Sequence, residues 1–409
     1  MKLSIIICVY NTDKYFLRKA LESIQRSTLR DYEICMVDDG SQEDYSNLAK
    51  EFGVRLSKTK NRGILCARLH GIGMAQGDYL AFFDSDDTVT INYHQPMIDM
   101  AEKENADIVM NDWAFHTEKS RYYCRTDSSI ASDFCIEGNA VFDRFMSQEG
   151  REHSYYVTWN KIYRRHLLLT AKKEIEASPL FGQKICYGED VLFNFYAFRE
   201  AKKLCNVHTG YYFYRMHANQ SVNVIHKERL RAQIEAMGAV FAQMRTGIAD
   251  SPNKNSRISH FFHWQELMSR THYSYAKANK YIDLFPFIQS VYGVQKLKKS
   301  IWRDSAVYYK VSLLPNNFEE IDSALRPLFG IQVPIEICYE KRNRYVACMV
   351  SALQHSGKDI RFNKHASYTV PKGNIRPTDK ILHNDLVYAI GVLLFKKGSR
   401  LRALLKRIL

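Results

Sequence analysis

The chain has 409 residues, enough for two domains, and its 26 tyrosines and 22 phenylalanines can fill sizeable cores. Its 58 Lys and Arg outnumber 44 Asp and Glu, and the formal net charge of +14 favours an anionic partner. No apolar run reaches the roughly 20 residues that a membrane-spanning helix needs. Because no cleavable leader precedes the first strand pattern, we expect a cytoplasmic protein.

Strand and helix patterns alternate through the first hundred residues. In chain order they predict a strand at 3–10, a helix at 13–27, a strand at 32–41 that runs into a turn, a short strand near Val54, a helix at 62–75, a strand at 78–84, a helix across 91–104 and a strand at 106–113. This alternation predicts an α/β fold with a parallel sheet and helices on both faces.

The pattern changes from about residue 226 onwards. Residues 226–330 are helical in character, and 331–380 carry scattered strand-like signals. The chain closes with an apolar run at 386–395 and a basic amphipathic segment from 400 to 409. This last combination is typical of a helix that lies on an anionic membrane surface, and core packing of the apolar run is the alternative.

The nine cysteines show no CxxC pair and no metal-ligand spacing. Several lie inside apolar runs, such as Cys8 in "IIICVY" and Cys35 in "EICMVDD". Such positions are typical of buried, reduced thiols, and we expect that state here.

Acidic residues cluster where the predicted strands end. Asp84, Asp86 and Asp87 follow one strand in "LAFFDSDDTV", and Asp38 and Asp39 follow another in "VDDGS". Ligands bind at this edge of parallel sheets. Carboxylate oxygens suit Mn²⁺ or Mg²⁺, which bind through one or two carboxylates and substrate phosphates. A solvated turn with a helix cap at Asp86 or Asp87 is the alternative.

Six separated motifs occur in the order seen in family 2 glycosyltransferases, and they cover about residues 3–225. They are "SIIICVYN", "VDDGS", "NRGILCARLHGIGMAQGDYLAFFDSDD", "WNKIYRRHLL", "YGEDVLF" and "YYFYRMHANQS". The resemblance implies the GT-A nucleotide-diphospho-sugar transferase fold, a mostly parallel sheet with helices on both faces, for a catalytic domain at 1–225. A mostly helical region at 226–330 and a C-terminal region at 331–409 would follow. Cys8 stands where the family often has proline.

The resemblance also implies an inverting, metal-dependent transfer from a nucleotide-diphosphate sugar, with UDP the commonest nucleotide. In Asp84-Ser85-Asp86, which resembles the family's DxD motif, Asp84 would bind the ribose hydroxyls and Asp86 would hold Mn²⁺ or Mg²⁺. Such an ion offsets charge that develops on the leaving nucleotide. The nucleotide-sugar-binding residues implied are Tyr10, Asn11, Asp38, Asp39, Arg68, Asp84, Ser85, Lys161 and Arg215.

Asp190 in "YGED" resembles the family's catalytic base, and Glu189 stands beside it. A single displacement at the anomeric carbon requires a carboxylate that takes the proton of the acceptor hydroxyl. Lys161 in "WNK" and Arg215 in "YRMH" would reach the diphosphate. His217 would reach the metal or the diphosphate.

The expected acceptor is a hydroxyl of a cell-surface glycan or of a lipid-linked molecule. The C-terminal segment would bind the protein peripherally to the anionic inner face of the plasma membrane. We expect no nucleic-acid partner, because no recognised nucleic-acid-binding motif accompanies the positive charge.

Two other classes of protein fit parts of the sequence. "FFDSDDT" also matches the strand motif of haloacid-dehalogenase-like phosphatases, with Asp84 as the nucleophile. That pattern requires glycine where Asp87 stands, and it leaves "VDDGS" and "YGED" without a role. A non-enzymatic protein that binds anionic surfaces is the third class.

Overall fold

The structure is a computed structural model, and it describes residues 1–117, 123–125, 134–147, 153–216, 226–249, 254–297, 337–341 and 344–348. The chain divides into two compact units, one of residues 1–113 and 129–300 and one of residues 114–128 and 301–409. His217 and the predicted membrane-binding segment at 386–409 lie outside the described residues. The predicted boundaries at residues 225 and 330 stay predictions.

The strands of the described residues are β1 (Leu3–Val9), β2 (Tyr32–Asp38), β3 (Arg55–Lys58), β4 (Tyr79–Asp84), β5 (Thr88–Val89), β6 (Ile108–Met110), β7 (Trp113–Thr117), β8 (Tyr123–Arg125), β9 (Cys135–Glu137), β10 (Lys161–Arg164), β11 (Lys203–Asn206), β12 (Tyr212–Met216), β13 (Ile337–Lys341) and β14 (Arg344–Cys348). The main sheet has the order β3-β2-β1-β4-β10-β6-β11-β9. Neighbours pair in parallel except that β10 is antiparallel to β4 and β6, and β9 to β11. The predicted mostly parallel sheet is confirmed.

Short antiparallel pairs supplement the main sheet. In the first unit β12 pairs with β5, so that Tyr212 lies opposite Val89. In the second unit β7 pairs with β8 and β13 pairs with β14.

The helices are α1 (Lys14–Gln25), α2 (Ser46–Glu51), α3 (Ile64–Met74), α4 (Gln95–Glu104), α5 (Asn139–Ser147), α6 (His153–Tyr156), α7 (Arg165–Glu176), α8 (Glu189–Glu200), α9 (Lys227–Ala249), α10 (Lys254–Ala278) and α11 (Phe285–Tyr292), with a 3₁₀ turn at Ile282–Leu284. The helical character predicted after residue 226 is confirmed for 226–249 and 254–297. No helix of the described residues is both long and apolar enough to cross a membrane.

Helix α3 packs closely on β1 and β2. A Cβ atom added at Gly71 would lie 2.4 Å from the Ile6 Cγ2 atom, so only glycine permits this approach. Leu69 and Ile72 of the same helix are buried in the core that covers the sheet. This packing fixes the helix that carries Arg68.

The strand register brings the predicted acidic residues to one edge of the sheet. Val9 at the end of β1 lies opposite Asp38 of β2, and Cys8 lies opposite Asp84 of β4. The predicted meeting of these strand ends is therefore confirmed.

The cysteines follow the expectation only in part. Cys8 and Cys35 are free thiols, and burial raises the pKa of each to about 12. Cys135 and Cys205, opposite each other on β9 and β11, form a disulfide. The expectation of reduced thiols is wrong for this pair, because a sequence separation of 70 residues concealed their proximity.

Candidate active site

Hydrogen bonds tie together the turns that follow β1, β2 and β4. The backbone N–H of Asn11 donates to Ser41 Oγ at 2.9 Å, and the Asn11 side-chain oxygen accepts from the Gln42 N–H at 2.9 Å. The hydroxyl oxygens of Thr12 and Ser85 lie 2.8 Å apart. Two predicted site residues, Asn11 and Ser85, therefore belong to one connected edge.

The acids that follow β2 are engaged within the chain. Asp38 forms an ion pair with Lys58 at 3.5 Å. Asp39 accepts hydrogen bonds from the backbone N–H groups of Arg62 at 2.9 Å and Gly63 at 2.8 Å. Asp39 therefore holds the two residues that lead into α3. The predicted contacts of both acids with the base or ribose stay predictions.

Arg68 of α3 lies among three carboxylates and is 4% exposed. One terminal nitrogen donates to Asp190 and, at 3.1 Å, to Glu189, while the other lies 3.4 Å from Asp84. Burial alone would lower the pKa of the Arg68 guanidinium, but the charges of Glu189 and Asp84 raise it. The sequence predicted Arg68 in a nucleoside pocket and gave no sign of this bridge.

The pair Glu189 and Asp190 forms the first turn of α8. Gly188 precedes it with φ of +88°, a left-handed conformation that glycine adopts readily. Negative side chains are stabilised at a helix start by the helix dipole. Asp190 also accepts a hydrogen bond from the Thr158 hydroxyl at 3.1 Å, a contact that sequence reasoning missed.

Asp86 is held by Arg215 of β12. The Arg215 guanidinium donates to the Asp86 carboxylate at 2.9 Å and to its backbone carbonyl at 3.2 Å, and it lies 3.6 Å from the centre of the Phe16 ring. The backbone N–H of Arg215 donates to Asp87 at 2.7 Å. Asp87 is 1% exposed and serves to join β12 to the turn after β4.

Negative charge exceeds positive charge in this cluster. Burial raises the pKa of Asp84 to about 6 despite the opposing charge of Arg68, and Asp86 and Glu189 contribute to the increase. Burial and the charges of Asp86 and Asp84 raise the pKa of Asp87 as well. A cationic ligand would therefore be stabilised beside these groups.

The donor chemistry of Asp86 suits a divalent cation, but the described residues supply few ligands. Among them, no three His, Cys, Asp or Glu side chains converge on one point that could hold a metal ion. Mn²⁺ and Mg²⁺ need no complete protein cage, because substrate phosphates and water fill their other positions. Asp86 fits such a partial site, and the ion would have to compete with Arg215 for its carboxylate.

Two further predicted residues differ in their surroundings. Tyr10 is 54% exposed at the carboxyl edge of the sheet. Lys161 is 1% exposed, and its ammonium group donates to the carbonyls of Ser154 and Val157 and to the Asn160 side chain. Three acceptors match the three protons of an ammonium group. The predicted contact of Lys161 with a diphosphate stays a prediction and would require exchange of these bonds.

Two cavities lie away from the carboxylates. One of about 540 Å³ is bordered by Tyr79 at the amino end of β4, opposite the end that carries Asp84. The other, of about 920 Å³, lies between α5 and the start of α10. The candidate site is therefore an open sheet edge rather than either of these cavities.

The part of the chain that forms this sheet edge is similar to known proteins. The family model "Glycosyl transferase family 2" matches residues 4–170. Residues 4–170 are therefore similar to a family 2 glycosyltransferase domain. Asp84, Asp86 and Arg68 lie inside the matched stretch, while Asp190 and Arg215 follow it.

Similar proteins match little more than half of the chain's length. It is 29% identical over 252 residues to the uncharacterized glycosyltransferase EpsJ of Bacillus subtilis (strain 168), covering 58% of this chain and 69% of the relative. Glycosyltransferase GlyA of Streptococcus pneumoniae serotype 4 is 26% identical over 243 residues, which cover 58% and 34%. The cholesterol galactosyltransferase of Borreliella burgdorferi is 27% identical over 247 residues, which cover 56% and 65%.

These matches identify a transferase enzyme. The matches do not support the hypothesis of a phosphatase with Asp84 as nucleophile, and they do not support the non-enzymatic alternative.

Proposed function

We propose that this enzyme transfers a sugar from a nucleotide-diphosphate donor, a UDP-sugar, to a hydroxyl of a cell-surface glycan or lipid-linked acceptor, with inversion at the anomeric carbon. The family of residues 4–170 supports the transfer. The observation that carries the proposal is the bridge made by Arg68. This one guanidinium contacts Asp84, the donor-side acid, and Asp190, the candidate base.

The donor side is the edge formed by the ends of β1, β2 and β4. Asp84, exposed by about a third, would accept from the ribose hydroxyls. Asp86 would hold Mn²⁺ or Mg²⁺ together with His217, which lies outside the described residues. When bound, such an ion stabilises negative charge on the departing diphosphate. Arg215 would contribute further positive charge beside Asp86.

The acceptor side is the start of α8. Asp190 would take the proton of the acceptor hydroxyl while its oxygen attacks the anomeric carbon. The bond from that carbon to the diphosphate oxygen breaks in the same step, and the attack from the opposite face inverts the configuration. Glu189 accepts from the same guanidinium at 3.1 Å and would help to hold Arg68 beside Asp190.

The nature of the acceptor and the place of the enzyme in the cell are part of the proposal. The name of the relative from Borreliella burgdorferi gives a lipid, cholesterol, as its acceptor, which supports a lipid-linked acceptor here. The net charge of +14 and the basic segment at 400–409 support peripheral binding to the anionic inner face of the plasma membrane.

A screen of nucleotide sugars tests the proposal. The purified chain is incubated with UDP-, GDP- and dTDP-sugars and Mn²⁺, and release of the nucleotide is measured. Slow hydrolysis of one donor, lost when EDTA is added, is the expected result. Cleavage of simple phosphate esters without turnover of any nucleotide sugar would support a phosphatase instead.

A further inference from the structure

The two oxygens of the Asp190 carboxylate have different surroundings. Oδ1 accepts from Arg68 and, at 3.1 Å, from the Thr158 hydroxyl. Oδ2 accepts no hydrogen bond from the described residues, and the side chain is 24% exposed. The lone pairs of Oδ2 therefore stay open for a proton from outside.

Thr158 is held rigidly in front of this carboxylate. It is completely buried, and the loop that carries it is bound to α8, the helix of Asp190, through Asn194. The Asn194 amide donates to the carbonyls of Tyr156 at 2.5 Å and Val157 at 3.2 Å. Val157 also accepts from Lys161 at 2.5 Å. The loop thus has little freedom relative to the base.

Aromatic packing immobilises the residue that follows Thr158. The Trp159 ring stacks on Tyr212 with the ring centres 4.5 Å apart and on Tyr214 at 5.6 Å. The fixed backbone holds the Thr158 hydroxyl within hydrogen-bond distance of Oδ1. This hydrogen bond restrains rotation of the carboxylate, which matters because catalytic groups lose rate steeply when their geometry is loose.

We propose that Thr158 is a positioning residue that, together with Arg68, binds Oδ1 of Asp190 and leaves Oδ2 as the oxygen that takes the acceptor's proton. The inference rests on the proposed function, since it concerns the base of that reaction. In the step, the acceptor O–H bond breaks and its proton passes to Oδ2. The acceptor oxygen bonds to the anomeric carbon, and the bond to the diphosphate breaks with its electron pair on the leaving oxygen.

The charges around Asp190 determine the effect of losing the hydroxyl. Arg68 faces it from α3, Glu189 precedes it on α8, and Asp84 lies across the guanidinium on β4. Without Thr158, one donor that stabilises the charged carboxylate is gone and the neighbouring acids remain. The protonated form of the base is then favoured, so a higher pH is needed for activity.

Thr158→Val tests the proposal, because valine keeps the shape and removes the hydroxyl. We expect kcat to fall about 3–10-fold, the effect of one lost hydrogen bond, with KM for the donor unchanged. The acidic limb of the pH profile of kcat/KM should move to higher pH. Thr158→Ser, which restores the hydroxyl, should return both quantities close to wild type.

Thr209→Val is the matched control, since the Thr209 hydroxyl is buried without a hydrogen-bond partner among the described residues. Its kcat and pH profile should equal those of the wild type. Thr158→Ala provides the same test if the valine variant does not fold. A wild-type kcat and pH profile in Thr158→Val or Thr158→Ala would overturn the inference. A wild-type enzyme that turns over no nucleotide sugar would instead overturn the proposed function.

Discussion

Replacing Arg68 with glutamine removes a cation that contacts Asp84, Glu189 and Asp190 together. Removing one partner from a fully buried ion pair costs about 3–5 kcal/mol, because an uncompensated charge remains. Arg68 is 5% exposed in its side chain, but its partners are 13% to 32% exposed, so water screens part of this cost. We therefore expect the free energy of unfolding to fall by about 2–4 kcal/mol.

Urea unfolding at neutral pH, followed by tryptophan fluorescence, measures this loss. Lys14→Gln is the control, because Lys14 and its partner Glu43 are 52% and 58% exposed. Exposed pairs contribute about 0–1 kcal/mol, so the control should change little. A loss in Arg68→Gln that does not exceed the control would refute the reasoning.

A double-mutant cycle shows whether the cost comes from the contact with Asp190. We expect Arg68→Gln and Asp190→Asn to be non-additive by about 1 kcal/mol or more, since residues in direct contact share one interaction. Additivity within about 0.5 kcal/mol would mean that the two side chains act independently in solution.

Three further predictions concern other parts of the chain. Asp86→Asn should abolish Mn²⁺-dependent donor turnover while circular dichroism shows an intact fold, and wild-type turnover would remove Asp86 from the metal site. Deleting residues 386–409 should release the protein from anionic vesicles in a flotation assay and leave turnover of a soluble acceptor unchanged. Aggregation of the truncated protein would show that the segment belongs to the hydrophobic core. Burial lowers the pKa of His272 to about 3, so the folded state binds fewer protons than the unfolded state between about pH 3 and 6.5. The contribution of His272 to the free energy of unfolding should therefore fall by about 2 kcal/mol from pH 7 to pH 5. Urea unfolding of His272→Gln at pH 7 and pH 5 should show the loss of that part of the pH dependence.

The edge of the sheet that carries the site was predictable because motifs mark the ends of the strands. Buried apolar runs predicted where β1, β2 and β4 end, acids mark the ends of β2 and β4, and the register confirms that Asp38 and Asp84 reach one edge. Helix α4 begins at Gln95 rather than at residue 91, because the proline at its start favours a first-turn position.

The partners of the acids could not be predicted, because each pairing depends on tertiary packing. Arg68 and Asp190 are 122 residues apart, and Arg215 and Asp86 are 129 apart. Helix α3 also approaches β1 closely at Gly71, a tertiary contact that the helical periodicity does not encode. The same reason concealed the donation from Thr158 to Asp190.

Donor turnover and donor binding by the wild type, Asp190→Asn and Glu189→Gln, measured side by side, test the central claim most directly. Asp190→Asn should bind the nucleotide sugar as the wild type does and transfer it about 10² times more slowly or worse, the usual effect of losing a general base. Glu189→Gln should retain much more of the transfer. An active Asp190→Asn beside an inactive Glu189→Gln would contradict the assignment of the base.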